Sequence, residues 1–316
     1  MQSTLLLVWL VCFCAADSPN YDNTHFCPIP EMAQQGATEE PESQHPWLVR
    51  VVHAPSNATD MAPLICTGAV LADRVYITAA RCIFSAKADY TTVIYSGHQL
   101  SVKAFVFPAQ PTNQMFDDVG FIVSWWKREI KSFHTITLAL ERRLDDNSFD
   151  FFDDLAVNDS TLLGFIASKD SPSTHTLYRL DNMHASNEVC HELYPSGGGG
   201  GGAYRVPCAH SCRAAEQRAG SAPCGRLLLG LGHVLVDRSA RLLGLVTWSC
   251  ANAPTARRRS HDMPLPLGLA LPNTKASQLN YDCAIAIRNL KVDYDKLTRG
   301  THKSACDNIY NAAISG

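Results

Sequence analysis

The sequence predicts an all-β protein. Its apolar residues fall into short segments rich in β-branched and aromatic side chains, with turn residues between them. Examples are TTVIYS at Thr91–Ser96, VGFIVSWW at Val119–Trp126 and RLLGLVTW at Arg241–Trp248. The polar stretch DRSA at Asp237–Ala240 separates two such segments, which predicts a hairpin. Regular strands without intervening helices favour a barrel or a sandwich.

Two segments depart from this strand pattern. Near the C-terminus, apolar residues recur at helical spacing and predict one helix, which Asn273 or Thr274 could cap. The apolar positions of this helix are Leu279, Cys283, Ile287 and Leu290. Six consecutive glycines at Gly197–Gly202 cannot hold a strand, so they predict a flexible surface loop.

The N-terminus resembles an export signal. Residues 1–16 combine a short apolar run with small residues, and the run is too short to span a bilayer. Residues 17–44 are polar and carry proline, so we interpret them as an extended leader. With 46% hydrophobic residues, 18% charged residues and a net charge of -3, the composition excludes a disordered chain and argues against nucleic-acid binding. We therefore expect a secreted, extracellular protein without a membrane span.

The cysteines fit export. The chain has 12 cysteines, of which two fall in the signal, and the remaining even number predicts disulfides. CAHSC at Cys208–Cys212, with the nearby His191, could be drawn as a metal site, but oxidised sulfurs are poor zinc ligands. We therefore expect no metal and no cofactor. NAT at Asn57 and NDS at Asn158 are predicted glycosylation sites.

One long block resembles a known family. CTGAVLADRVYITAARC, from Cys66 to Cys82, is similar to the block of chymotrypsin-like serine proteases that ends in TAAHC. Further blocks follow in the family's order, at His45–Val52, Phe116–Ile122, Leu162–Ile166, Asn187–Tyr194 and Gly232–Cys250. The resemblance implies two six-stranded antiparallel β-barrels with a C-terminal helix. It places the protease-like domain at 45–292 and a C-terminal tail at 293–316.

The catalytic triad of the family is incomplete in this sequence. The resemblance places Asp118 at the aspartate position, Arg81 at the histidine position and Leu231 at the serine position. Arginine stays protonated and has no lone pair to accept a proton, so Arg81 cannot act as a general base. Leucine has no nucleophile, and no serine occurs between Ala222 and Arg238. The resemblance therefore implies a non-catalytic homologue.

The activation and specificity features of the family are also missing. Family zymogens are cut after a basic residue, whereas no Lys or Arg occurs from Met1 to Val49 and IVGG is absent. The position before Leu231, where the family has the aspartate that receives the new amino terminus, is Gly230. The specificity-pocket position, where trypsin has an aspartate, is Ala222.

The resemblance also implies three disulfides, which would pair Cys66 with Cys82, Cys190 with Cys208 and Cys224 with Cys250. Four further cysteines have three possible full pairings that the sequence does not decide. These are Cys27, Cys212, Cys283 and Cys306. A single cysteine in the leader is too few for a clip domain, so the chain resembles a clip-less, arthropod-like member.

Three sites each allow more than one interpretation. Arg81 either pairs with Asp118 or points to solvent, and we expect the pair because an unpaired buried carboxylate is costly. His233 could be a relocated base, but without a nucleophile nearby we expect a surface-loop histidine. The basic run at Arg257–Arg259 is either a processing site, an acid-binding patch or a solvated loop, and we expect the solvated loop.

These observations predict a secreted, catalytically inactive serine protease homologue that binds another secreted protein non-covalently. The resemblance suggests a cofactor or decoy in an extracellular protease cascade. One alternative is an active serine-type endopeptidase with a displaced site, because a fold alone does not decide activity. Another alternative is a structural component of a secreted fluid or matrix, cross-linked through an odd cysteine.

Overall fold

The structure is a computed structural model, and it describes ten stretches of the chain. These are residues 37–54, 64–83, 86–107, 118–139, 157–167, 175–186, 208–210, 232–248, 267–272 and 275–289. Within them the chain is mostly β-strand, which confirms the predicted fold class.

The first half of the described chain forms a closed antiparallel barrel. Its strands are β2 (Leu48–His53), β3 (Leu64–Ala72), β4 (Val75–Ala79), β5 (Thr91–Tyr95), β6 (His98–Val106) and β7 (Val119–Ser124). They pair in the order β2, β3, β4, β7, β6, β5, and β5 returns to β2. Closure leaves none of these six strands with an unpaired edge.

The second half forms another antiparallel sheet. Its strands are β8 (Val157–Ala167), β9 (His175–Ser186), β10 (Cys208–His210), β11 (Val234–Val236), β12 (Leu242–Trp248) and β13 (Leu267–Ala270). They pair in the order β9, β10, β13, β12, β11, β8, and β8 returns to β9. The predicted hairpin at Asp237–Ala240 is confirmed, since it joins the antiparallel strands β11 and β12.

A short strand before the first barrel belongs to the second sheet. Thr38–Glu39 forms β1 and pairs with β9, and a 3-10 turn follows at Glu42–Gln44. These residues fall within the stretch 17–44 that the sequence analysis assigns to a polar leader. The end of that stretch is therefore part of the folded sheet.

The two barrels pack against each other through β4 and β7. Successive side chains of a strand point to opposite faces. In β4, Tyr76 packs inside the first barrel, whereas its neighbours Val75 and Ile77 join a core that spans both barrels. Leu163 and Val234 contribute to this shared core from the second barrel. Burial on both faces explains why β4 lacks the polar alternation of a surface strand.

Two helices complete the described chain, α1 (Ala80–Ile83) and α2 (Lys275–Asn289). The predicted C-terminal helix is confirmed as α2, and Cys283 and Ile287 are buried on it. Leu279, which shares their apolar spacing, is instead 59% exposed. The last turn of α2 contacts the first barrel, where the buried Nζ of Lys103 donates to the Ile287 carbonyl at 2.7 Å. Neither helix is long and apolar enough to cross a membrane.

Candidate functional site

The register of β4 and β7 brings Arg81 and Asp118 together. Ala79 is paired with Val119, so the residues that follow β4 pass directly beside the residue that precedes β7. The backbone N–H of Arg81 donates to Asp118 Oδ1 at 3.1 Å. Arg81 Nε lies 2.6 Å from Asp118 Oδ2. The predicted ion pair between these two residues is therefore confirmed.

Two features hold the backbone at Arg81 in place. The neighbouring Cys82 forms a disulfide with Cys66 of β3, which confirms that predicted pairing. On the other side, Gly120 leaves room for α1, because a Cβ atom there would lie 3.0 Å from the Ala80 Cα atom. Position 81 is thus fixed both by a covalent bond and by close backbone packing.

Burial and charge act on Asp118 in opposite directions. Its side chain is only 2% exposed, whereas that of Arg81 is 37% exposed. Burial raises the pKa of Asp118 to about 6, and the charge and hydrogen bonds of Arg81 act in the opposite direction by favouring the carboxylate. Above that pH the site contains a buried carboxylate neutralised by a guanidinium that reaches the surface.

A polar seam joins the two barrels near this pair, made of Thr67, Thr78, Phe165 and Gly232. Thr78 donates its hydroxyl to the Thr67 carbonyl at 2.7 Å, and the Thr67 hydroxyl accepts from the Phe165 N–H at 2.9 Å. The sequence analysis did not identify this seam, because the threonines occur in ordinary strand segments. Their contacts depend on the distant β8, which gives no local sequence signal.

Gly232 places the segment before β11 against the first barrel. Its φ angle is +76°, and a Cβ atom there would lie 2.2 Å from the Thr67 carbonyl oxygen and 2.5 Å from the Thr78 hydroxyl. Only glycine fits both the backbone angle and the space. Thr78 lies in β4, three residues before Arg81. Gly232 is therefore held against β4, the strand that leads into the ion pair.

His233 is buried rather than exposed, so the prediction of a surface-loop histidine is wrong. It has no exposed surface, and its ring occupies the space that a Cβ atom on Gly164 would need. Burial lowers the pKa of His233 to about 4, so the imidazole is neutral at physiological pH. The glycine of LLGFI on β8 admits the ring, and this contact could not be inferred from the sequence around His233.

Among the described residues around the ion pair, none is placed as a solvent-accessible general base. Arg81 cannot accept a proton. Asp118 could accept a proton, but Arg81 contacts both of its carboxylate oxygens. The Asp118 side chain is also shielded from solvent. His233 is inaccessible to a substrate, and the hydroxyls of Thr67 and Thr78 serve the seam.

A second cluster of potential ligands surrounds the disulfide. His53, Cys66 and Cys82 approach one another closely enough to resemble a metal site. The two sulfurs are bonded to each other, so the cluster has no thiolate to offer a metal. Burial lowers the pKa of His53 to about 4, and its Nδ1 lies 2.8 Å from the Thr91 hydroxyl. This histidine therefore serves the packing of the first barrel.

Several predicted positions lie outside the described residues. They are Leu231, Ala222, Asn57, Arg257–Arg259, Gly197–Gly202 and the cysteines Cys27, Cys190, Cys212, Cys224, Cys250 and Cys306. Cys208 and Asn158 lie at the start of β10 and within β8, with only their backbones described. Cys283 is disulfide-bonded, and its pairing lies outside the described part of the chain.

Comparison with known proteins identifies the fold. No protein-family model matches the sequence, and no curated protein matches it either. Similar solved structures include two inactivated protease paralogues of the scabies mite, each 16% identical to this chain. S-I1 has a TM-score of 0.51 and covers 79% of this chain and 98% of its own; S-D1 has a TM-score of 0.50, with 80% and 98%.

A third similar structure is HL collagenase, with 15% identity, a TM-score of 0.51, and coverage of 78% of this chain and 98% of its own. Identity this low supports a statement about fold alone. The observed pairing of two six-stranded antiparallel sheets with a C-terminal helix agrees with these structures. The chain therefore has the chymotrypsin-like serine protease fold.

Proposed function

We propose that this protein is a secreted, catalytically inactive homologue of chymotrypsin-like serine proteases that acts by binding another protein non-covalently. The observation that carries the proposal is the Arg81–Asp118 ion pair. Arg81 lies in α1, directly after β4, and Asp118 directly precedes β7, at the positions where the resemblance places the histidine and aspartate of a triad. A guanidinium there stabilises the buried carboxylate without supplying a base.

We extend the proposal to the serine position and the specificity-pocket position of the family. Leu231 stands at the serine position and Ala222 at the specificity-pocket position, so the nucleophile and the usual charged pocket are both missing. The Arg81–Asp118 pair and the close packing of Gly232 against Thr67 and Thr78 keep this part of the fold intact. The names of the scabies mite structures, inactivated protease paralogues, are consistent with a fold that is retained after catalysis is lost.

Secretion is supported by the signal-like residues 1–16 and by the Cys66–Cys82 disulfide, since disulfides persist in oxidising compartments. Glycans on Asn57 and Asn158 and the pairings Cys190–Cys208 and Cys224–Cys250 complete the proposed exported form. The partner we propose is a protease, zymogen or other component of an extracellular cascade, with the present protein as cofactor or decoy.

The decisive test is the intact mass of the secreted protein after reaction with a fluorophosphonate probe, before and after limited proteolysis. An active serine protease serves as the positive control. We expect no added mass on this protein while the control is labelled, because a leucine cannot be phosphonylated. Labelling of one serine would overturn the proposal and would locate a displaced nucleophile.

A restored variant sharpens the test. Arg81→His together with Leu231→Ser would return both missing side chains, whereas Arg81→His alone would return only the base. We expect the single variant to stay unlabelled. Labelling of the single variant would show that some other serine is already positioned as a nucleophile.

A further inference from the structure

The first barrel carries two exposed tryptophans on a surface separate from the Arg81–Asp118 pair. The tryptophan surface consists of Trp125 and Trp126 after β7, Arg74 in the β3–β4 turn, and the following Arg128 and Lys131. Trp125 is 37% exposed and Trp126 is 56% exposed. Adjacent exposed indoles are unusual, because tryptophan is costly to leave in water and is enriched at protein interfaces.

The tryptophans are held in place rather than carried on a loose tip. The backbone N–H of Trp125 donates to the Ser101 carbonyl at 3.0 Å. A turn follows, in which the Ile130 N–H donates to the Lys127 carbonyl, and the Ile130 side chain is buried in the first barrel. Binding would therefore require little ordering of this segment, which preserves affinity.

Arg74 orients the outer ring. The backbone carbonyl of Arg74 accepts from the Ser124 N–H at 3.1 Å, which fixes the β3–β4 turn beside β7. Its guanidinium carbon lies 5.5 Å from the centre of the Trp126 ring, within the range of a cation–π contact. The ring is thereby presented next to a cation, which is the combination most enriched at binding hot spots.

The charge around the rings is positive in a chain that is acidic overall. The whole chain carries a net charge of -3. At this surface Asp73 lies beside Arg74, and Glu129 lies beside Lys127. Arg128 and Lys131 are exposed, and neither takes part in an ion pair among the residues that the structure describes. The surface therefore has positive charge available for an acidic partner.

We propose that the tryptophan surface docks an acidic peptide segment of a partner protein that also carries apolar side chains. The proposal rests on the binding function proposed above and assigns that function a surface at the other end of β4 from the Arg81–Asp118 pair. The two indoles would cover the apolar side chains, and Arg128 and Lys131 would pair with the carboxylates. A sulfated polysaccharide fits less well, because it carries no apolar side chains for the two indoles to cover.

The test is isothermal titration calorimetry of the full-length secreted protein with a short synthetic peptide of alternating Glu and Phe residues. The same peptide with Gln in place of Glu is the neutral probe, and a heparin fragment is the polysaccharide probe. We expect the acidic peptide to bind more tightly than the neutral one, with affinity falling as salt is raised. Trp126→Ala should weaken this binding about tenfold.

Two control variants separate docking from general surface effects. Leu279→Ala removes an equally exposed apolar side chain from α2 and should leave the affinity unchanged. Arg128→Glu should weaken binding of the acidic peptide, whereas Arg238→Glu, on the hairpin of the second barrel, should not. Trp126→Ala and Leu279→Ala should both keep the wild-type thermal midpoint, because both side chains are exposed.

Three outcomes would overturn the docking proposal: equal affinity for acidic and neutral peptides, equal effects of Trp126→Ala and Leu279→Ala, or tight binding of heparin alone. None of them affects the fluorophosphonate result, which tests the loss of catalysis. Conversely, labelling of a serine would overturn the proposed function and leave the peptide measurements standing.

Discussion

Asp118 and His233 are both buried polar side chains near the contact between the barrels, yet the fold accommodates them differently. Asp118 is paired with the cation Arg81, whose Nε lies 2.6 Å from Asp118 Oδ2. The ring of His233 is accommodated by packing, because Gly164 leaves room for it. Burial favours the neutral form in each case, raising the pKa of Asp118 and lowering that of His233. One buried polar side chain is thus stabilised by charge pairing and the other by packing.

The largest loss of stability is expected at Gly232, where close packing leaves no room for a side chain. Gly232→Ala should cost more than about 4 kcal/mol or abolish folding, because the new Cβ would collide with the Thr67 carbonyl and the φ angle would be strained. Gly97→Ala is the matched control, since Gly97 has a φ of +78° but nothing within 4 Å of the added atom. It should cost about 1 kcal/mol. Urea unfolding measures both, and equal losses would contradict the steric argument.

The contribution of the Arg81–Asp118 ion pair to stability is tested by removing each partner in turn. Arg81→Ala should destabilise the protein by about 3 kcal/mol at pH 8, because it leaves the buried Asp118 carboxylate without its cation. Asp118→Asn should cost only about 1 kcal/mol, since the Arg81 side chain can turn to water. Thermal unfolding at pH 8 measures this asymmetry. A larger loss for Asp118→Asn would mean that Arg81, not Asp118, is the buried charge.

The contact of His233 with Gly164 is tested by a double-mutant cycle. Gly164→Ala should cost about 2 kcal/mol, because the new methyl group overlaps the imidazole ring. In a His233→Ala background the same change should cost much less, since the ring is gone. Additive losses in the unfolding free energy would show that the two positions do not share one space.

The smallest effect we predict is a pair of opposite pH responses. The lowered pKa of His233 gives stability that is present above pH 6.5 and lost as the pH falls toward 4. The raised pKa of Asp118 gives stability that is present below pH 3.8 and lost as the pH rises through 6. Between pH 6 and pH 5 each group should change the unfolding free energy by about 1 kcal/mol, with opposite signs.

Single variants should separate these responses. Asp118→Asn should make the protein more sensitive to acid between pH 6 and pH 5, whereas His233→Phe should make it less sensitive. Thermal midpoints across this interval provide the measurement. The pKa of His53 is also lowered to about 4, and neither substitution removes this residue. Its contribution to the pH dependence of stability should therefore be the same in the wild type and in both variants. Parallel curves for the wild type and both variants would contradict the assigned pKa directions.

The features that sequence reasoning predicted correctly are those encoded by local pattern or by a recognisable block. Alternation and turn residues predicted the strands and the β11–β12 hairpin. The block from Cys66 to Cys82 predicted its disulfide and the position of Arg81. Asp118 followed from a second block, and its pairing followed from the cost of a buried charge.

The features that it missed depend on contacts between distant segments. His233 is buried because β8 supplies a glycine under its ring, and no residue near His233 indicates this. Leu279 has the spacing of a buried helical residue, but α2 turns a face containing the small residues Ser277 and Ala284 toward the barrel. Side-chain polarity alone therefore predicted the wrong exposure for both residues.

The contact between Lys103 and the end of α2 has a consequence for the order in which the chain is synthesised. The two residues are separated by 184 positions, and the buried Lys103 donates its ammonium group to the Ile287 carbonyl. A nascent chain that has completed the strands of the first barrel still lacks this acceptor. This contact can therefore form only after the C-terminal helix has left the ribosome, and such non-local contacts slow folding.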